Sequence, residues 1–169
     1  MARRVLVLDT SVLCCLLEVA GKETAGPTDD RWDVDRVRAL LAEEQTRDST
    51  LVLPLATIIE TGNHIAQAPS RRFETAEVLG SYMREAANER SPWAAFTDQT
   101  NLWGVERFIR LADEWPTLAA AKTSIGDATI KDVADFYASA GYEVVIVTAD
   151  RGLKAYEPTQ PVPTPRRRA

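Results

Sequence analysis

Two stretches of this chain, VLVL at 5–8 and VVIV at 144–147, run through four apolar residues with no polar one between them. A strand with one face in water alternates apolar and polar positions. These two therefore read as strands covered on both faces, the mark of a parallel sheet under helices. STLVLP at 49–54 reads as a third, shorter strand of the same kind, with Pro54 opening the helix behind it. Long stretches of helical spacing separate the three. Strands alternating with helices predict an α/β protein, a three-layer α/β/α sandwich with a central parallel sheet.

The expected helices span about 11–20, 33–47, 54–67 and 70–90, the last burying Phe73, Val78, Leu79, Tyr82 and Ala86 on one side. Val105, Phe108, Ile109, Ala112 and Trp115 give another, which Pro116 is expected to end. TSIGDATIKDVADFYASAG has hydroxyl caps, helical spacing and a glycine stop. The polar Gly/Pro segment 20–32 reads as a loop, and 91–101 as a loop or a short edge strand. The expected organisation is one domain over 1–157 and a Pro/Arg-rich tail over 158–169.

Of the 169 residues, 45% are hydrophobic and 27% charged, a mixture that excludes a disordered chain. No apolar run approaches membrane-spanning length, and Leu8 runs straight into Asp9 with no signal-peptide core, so the expected address is cytoplasmic with no membrane partner. Cys14 and Cys15 are adjacent and without partners elsewhere, which reads as two buried reduced thiols. The net charge of −5 argues against a nucleic-acid partner only if the acids are dispersed. Basic residues cluster at Arg3-Arg4, Arg71-Arg72, Arg151, Lys154 and Arg166, Arg167 and Arg168.

The acids are not placed at random. Asp9 and Asp150 each follow an apolar strand, where open α/β sheets place their ligands. Glu60 interrupts an apolar helical face of Leu55, Ile58 and Ile59, and Asp127 stands beside Gly126 at the start of the last long helix. All four belong near the carboxyl edge of the sheet. Desolvated carboxylates repel, and a hard divalent cation gives them a reason to converge. Mg²⁺ or Mn²⁺ suits such oxygens, and the chemistry that follows is phosphoryl transfer or phosphodiester hydrolysis. The bland readings are caps and turns: Asp9 capping a helix, Asp150 in a turn, Asp127 favoured by the helix dipole.

VLVLDTSVL, VLPLATIIETGNHI, SIGDATIKDVA and IVTADRGLKAY resemble, in order and spacing, the four acidic motifs of PIN-domain nucleases. The resemblance covers residues from about 4 to 156 and implies a PIN-like sandwich with a Mg²⁺- or Mn²⁺-dependent ribonuclease site. It implies that Asp9, Glu60, Asp127 and Asp150 are the metal-binding and catalytic acids, with Ser11 and Thr148 as accessory polar residues. Asn63 and His64, about a turn after Glu60, are further candidates for substrate or water contact. Lys131 could pair with Asp127, while Asp132 and Asp135 are expected in solvent. Arg151, Lys154, Arg166, Arg167 and Arg168 are candidate RNA contacts. A small single-domain form resembles the toxins of toxin–antitoxin pairs, so the candidate partners are RNA, a cognate antitoxin and a second copy of the chain.

The segment 91–122 is longer than a minimal toxin of this family needs, and the strand usual after the fourth motif is not evident. Two other readings stand beside the nuclease. One is a PIN fold kept for RNA or protein binding. The other is a phosphatase with a nucleophilic aspartate, which wants a second acid where this chain has Ser11. A receiver-type phosphoacceptor would want a paired acid early in the first loop, and DTSVL has none.

Overall fold

The computed structural model describes residues 3–159. The tail from 160 on, with its three arginines, lies outside the described residues. In chain order the elements are β1 (Arg4–Leu8), α1 (Thr10–Leu16), a 3₁₀ turn (Thr28–Asp30), α2 (Val34–Thr46), β2 (Thr50–Val52), α3 (Leu55–Gln67), α4 (Arg72–Ala87), α5 (Asp98–Leu102), α6 (Val105–Ala120), α7 (Ile125–Ser139), β3 (Glu143–Val147) and α8 (Arg151–Lys154). The fold is mixed α/β around a three-stranded parallel sheet of order β2-β1-β3.

β1 pairs on both sides, with Val5 opposite Thr50 and opposite Val144. Val5 to Leu8 are sealed from solvent. Leu6 and Leu8 point to a core with Leu13, Val37 and Leu79, and Val5 and Val7 point to a second core with Ile130, Val133 and Tyr137. Both faces of the sheet are thus covered, as an unbroken apolar run requires. Because the chain crosses to opposite sides of β1 to form β2 and β3, the carboxyl end of β1 opens into a crevice.

Both acids follow apolar strands as expected, but among the described residues only β1 is central, so Asp9 ends a central strand and Asp150 follows an edge strand. Among the described residues β3 is an edge, and two side chains occupy positions that a further strand would take. The Ile146 N–H donates to Glu157 Oε2 at 2.7 Å, and Lys154 Nζ donates to the Ile146 carbonyl at 3.0 Å. Capping outward groups in this way removes a template for further pairing. The ambiguous 91–101 segment covers the other edge. Leu51 N–H donates to Pro92 O at 2.7 Å and Ala94 N–H to Leu51 O at 2.8 Å, forming one parallel bridge at Trp93 before α5 begins.

Several helical faces differ from expectation. α3 buries Thr57, Thr61 and Ile65, with the Thr57 hydroxyl donating to Leu8 O at 2.8 Å; Leu55 and Ile59 face outward. α4 buries Leu79 and Ala86, while Phe73 and Val78 are exposed. Pro116 does not end α6, which runs on to Ala120. Pro116 leaves Ala112 O without its helical donor and crowds that carbonyl, but Ala112 is exposed, so the carbonyl can turn outward and bond water. Asp132 is buried rather than solvated, because α6 packs across α7 and Arg107 Nη2 donates to its carbonyl at 3.3 Å. Cys14 and Cys15 are buried free thiols, and burial pushes each up to about 11.

Candidate active site

Where β1 ends, Asp9 turns the chain into α1 and caps it. Its Oδ2 accepts from Ser11 N at 3.3 Å, Ser11 Oγ at 2.6 Å and Thr148 Oγ1 at 2.8 Å. The Asp9 N–H still belongs to the sheet, donating to Val147 O at 3.0 Å. Asp150 follows β3 and caps α8, with Oδ1 accepting from Gly152 N at 2.6 Å and Leu153 N at 3.4 Å. Thr148 and Ser11 tie the two acids together. Asp150 N–H donates to Thr148 Oγ1 at 2.9 Å, and Ala149 N–H to Ser11 Oγ at 3.0 Å.

Asp127 sits in a capping box at the start of α7. Its N–H donates to Ser124 Oγ at 3.0 Å, and its Oδ2 accepts from Ser124 Oγ at 2.8 Å and Ser124 N at 3.4 Å. Glu60, on α3, accepts from Thr10 Oγ1 through Oε2 at 2.9 Å. Its other oxygen lies against Gly126, where any Cβ would collide with it. The small residue beside Asp127 is therefore what admits Glu60.

The bland readings are accurate as far as they go, since all three aspartates cap helices. Capping, however, occupies one oxygen of each. Asp9 Oδ1, Glu60 Oε1, Asp127 Oδ1 and Asp150 Oδ2 have no hydrogen-bond donor among the described residues. All four acids line one cavity of about 450 Å³, together with Ser11 and His64. Asp9 is 5% exposed and Asp150 is open to solvent. Burial raises Asp127 above its ordinary range; the Ser124 hydroxyl opposes that rise, and the charges of Asp9 and Asp150 add to it.

Among the described residues, no three carboxylate, imidazole or thiol groups form a ready-made ligand cage. The donor set is nonetheless of the hard oxygen type. Mg²⁺ keeps several waters and takes only one or two direct carboxylates, so spaced, hydroxyl-anchored acids around a roomy cavity fit a hydrated ion better than a bare one. Asp9, Glu60, Asp127 and Asp150 are the residues that would hold it.

Other expected contributors fall elsewhere. Asn63 is exposed and does not line the cavity, because it projects from the outward side of α3. Lys131 pairs with Asp135 at 2.9 Å rather than with Asp127, whose carboxylate is held in the capping box by Ser124. Lys154, a candidate RNA contact, donates to the Ile146 carbonyl at the β3 edge and pairs with Glu157. Arg151 is exposed and pairs at 2.8 Å with exposed Asp29, an interaction weak enough for a phosphate to displace. Arg166, Arg167 and Arg168 lie outside the described residues.

Thr10, Lys22 and Ser124 are among the lining residues that the sequence did not single out. Thr10 stands between Asp9 and Ser11 and orients Glu60, fifty positions away; only the run of hydroxyls in DTS hints at it. Lys22 lines the same cavity from the 20–32 loop and makes no ion pair among the described residues. A lysine in a polar loop carries no signal of that placement. Compared with protein-family models, with curated proteins and with solved structures, the chain matches none of them.

Proposed function

We propose that this protein is a metal-dependent endoribonuclease that hydrolyses RNA phosphodiester bonds in the cavity at the carboxyl end of β1. The observation that carries the reading is the division of labour within each carboxylate. One oxygen is held by the fold through Ser11, Thr148, Thr10, Ser124 or a helix N-terminus, and the other is left without a donor beside the same cavity. Acids needed only as caps would have no cause to share a cavity, and the repulsion there works against them. The order and spacing of the four acidic motifs, which resemble those of PIN-domain nucleases, support the same reading.

When bound, Mg²⁺ or Mn²⁺ would supply Lewis acidity and a water of lowered pKa. The chain's own part is positioning. Ser11 and Thr148 fix the Asp9 carboxylate, Thr10 fixes Glu60, and Ser124 fixes Asp127, so little reorganisation is left for the reaction step. Lys22 brings a positive charge to an otherwise acidic cavity and suits a substrate phosphate oxygen. His64 borders the cavity and can contact substrate or water there. Attack of water on phosphorus in the manner of the resembled family leaves a 5′-phosphate and a 3′-hydroxyl. A toxin role, with a cognate antitoxin entering the crevice, extends the same proposal.

The test is incubation of single-stranded RNA and DNA oligonucleotides with the purified protein in Mn²⁺, in Mg²⁺ and in EDTA, with the product ends identified. Cleavage of RNA only with metal, leaving 5′-phosphates, is expected. Metal-independent cleavage would contradict the metal-dependent mechanism, and tight RNA binding without any cleavage would instead favour a retained fold used for binding.

A further inference from the structure

The acidic cavity has a neighbour. The 20–32 loop doubles back on itself, with Ala25 and Trp32 exchanging N–H···O bonds of 3.0 and 2.8 Å. Gly26 permits the reversal: its φ is +84°, and a Cβ there would fall 2.5 Å from Asp30 O. The outgoing limb brings Lys22 to the acidic cavity. The returning limb brings Asp30 and Trp32 to a second cavity of about 290 Å³ along the outer edge of β3. Asp150 lines both, so the two cavities meet at a carboxylate of the candidate site.

Two features of the second cavity suit a flat ligand with a polar edge. The first is the Arg36 guanidinium, 4.0 Å from the centre of the buried Trp32 ring. Its Nη1 donates to Asp30 Oδ1 at 2.8 Å and to Arg31 O at 2.9 Å, which fixes the plane. With 42% of the Arg36 side chain exposed, the other face of that plane is open as a platform. The second feature is the strand edge. Val147 O turns inward to accept from Asp9 N–H, so by alternation the peptide groups of Ile146 and Thr148 turn outward. Those of Ile146 are answered by Glu157 and Lys154. Thr148 is only 7% exposed, yet neither its N–H nor its C=O has a partner among the described residues. Buried peptide groups are nearly always paired, so a bare donor and acceptor beside a cavity point to a ligand.

Unstacked RNA bases are bound by stacking on aromatic or guanidinium planes and by hydrogen bonds to their edges. Each base carries an adjacent donor and acceptor on its Watson–Crick edge, which the paired N–H and C=O of one open strand residue can meet. Arg151 lines the same cavity, and its exposed pairing with Asp29 is weak enough for a phosphate to displace. Resting on the nuclease reading for the identity of the strand, we propose that this cavity holds one unpaired RNA base next to the scissile phosphate, stacked on Arg36 and hydrogen-bonded by the Thr148 peptide groups. Cleavage then depends on the base at one position beside the cut.

The Thr148 amide reports occupancy without catalysis. In ¹H–¹⁵N NMR spectra of the metal-free protein its proton should move downfield with at least one of adenosine, cytidine and uridine, uncharged probes that the acids do not repel. Ribose, which has no base, should leave it in place. A Thr148 amide unmoved by all three nucleosides, or moved equally by ribose, overturns the proposal. For cleavage, an RNA oligonucleotide cut at one bond is remade with an abasic residue at each position in turn. One position beside the cut should lose about tenfold or more in kcat/KM, and Arg36→Gln should lower cleavage of the intact RNA and remove that dependence. A flat scan in the wild type, or an unaltered scan in Arg36→Gln, overturns the proposal. RNA left uncut while the Thr148 amide responds overturns the nuclease reading and leaves the base site standing.

Discussion

Replacing Gly126 with alanine should separate the site from the fold. Gly126 is buried in the first turn of α7, and a Cβ there would lie inside contact distance of Glu60 Oε1 and 3.1 Å from Glu60 Cδ. To restore ordinary contact the carboxylate must retreat by about 1 Å, which strains its 2.9 Å bond from Thr10. The backbone itself gains. Alanine is favoured over glycine within a helix by up to about 1 kcal/mol, which offsets a net hydrogen-bond loss of about the same size. The variant should therefore unfold within a few degrees of wild type, while a misplacement of that size lowers RNA cleavage on the order of a hundredfold. Gly62→Ala is the control: it lies on the same helix as Glu60 and its Cβ would meet nothing. Thermal unfolding and cleavage should be measured on both variants. Wild-type cleavage with an undiminished Mn²⁺ response in Gly126→Ala would refute the assignment of Glu60.

Asp127→Asn should raise the melting temperature in EDTA and reduce the gain on adding Mn²⁺. Burial raises the Asp127 carboxyl in the folded chain, so its ionisation costs stability as pH climbs through the carboxylate range. The advantage of Asn should thus be present at neutral pH and vanish at acid pH; melting curves across pH check the sign, and a constant difference would contradict it. Cys14 and Cys15 should resist alkylation at neutral pH until the protein unfolds, since burial holds both near 11. Because the unfolded thiols ionise first, above about 9, stability should fall from there upward by at most about 2.7 kcal/mol per thiol. Rapid labelling of native protein would refute their burial. Glu157→Ala should cost about 1–3 kcal/mol in denaturant titration by leaving the Ile146 N–H without its acceptor. Lys154→Gln should leave the salt dependence of RNA binding unchanged, because that ammonium serves the sheet edge.

Much of the sheet was legible because a short, β-branched apolar run such as VLVL, too short for a helix and ending at an acid, fits a strand covered on both faces. The crevice followed, since acids placed directly after strands or at a helix start share the carboxyl edge. What could not be read was phase and partner. Helical periodicity shows that α6 has an apolar stripe but not which side the rest of the chain covers. The buried side is that of Leu111, while Val105, Phe108 and Ile109 face out. For the same reason Leu55 and Ile59 looked like core and are surface. Lys131 had an acid one turn away on either side, and its partner is Asp135 because the Asp127 carboxylate is held by Ser124. Thr10 and Lys22 reach the cavity through tertiary contacts alone, which leave no periodic trace.

The central claim is that Asp9, Glu60, Asp127 and Asp150 share a divalent cation. Titration of Mn²⁺ into the metal-free protein, followed by electron paramagnetic resonance of the free ion, tests it without recourse to activity. Wild type should bind in the cavity with an affinity that Asp9→Asn and Glu60→Gln each lower at least tenfold, because each removes a ligating oxygen that no capping role replaces. Circular dichroism should show both variants folded, Asn being as good a cap as Asp. Undiminished Mn²⁺ binding in both folded variants would return the four acids to the role of caps.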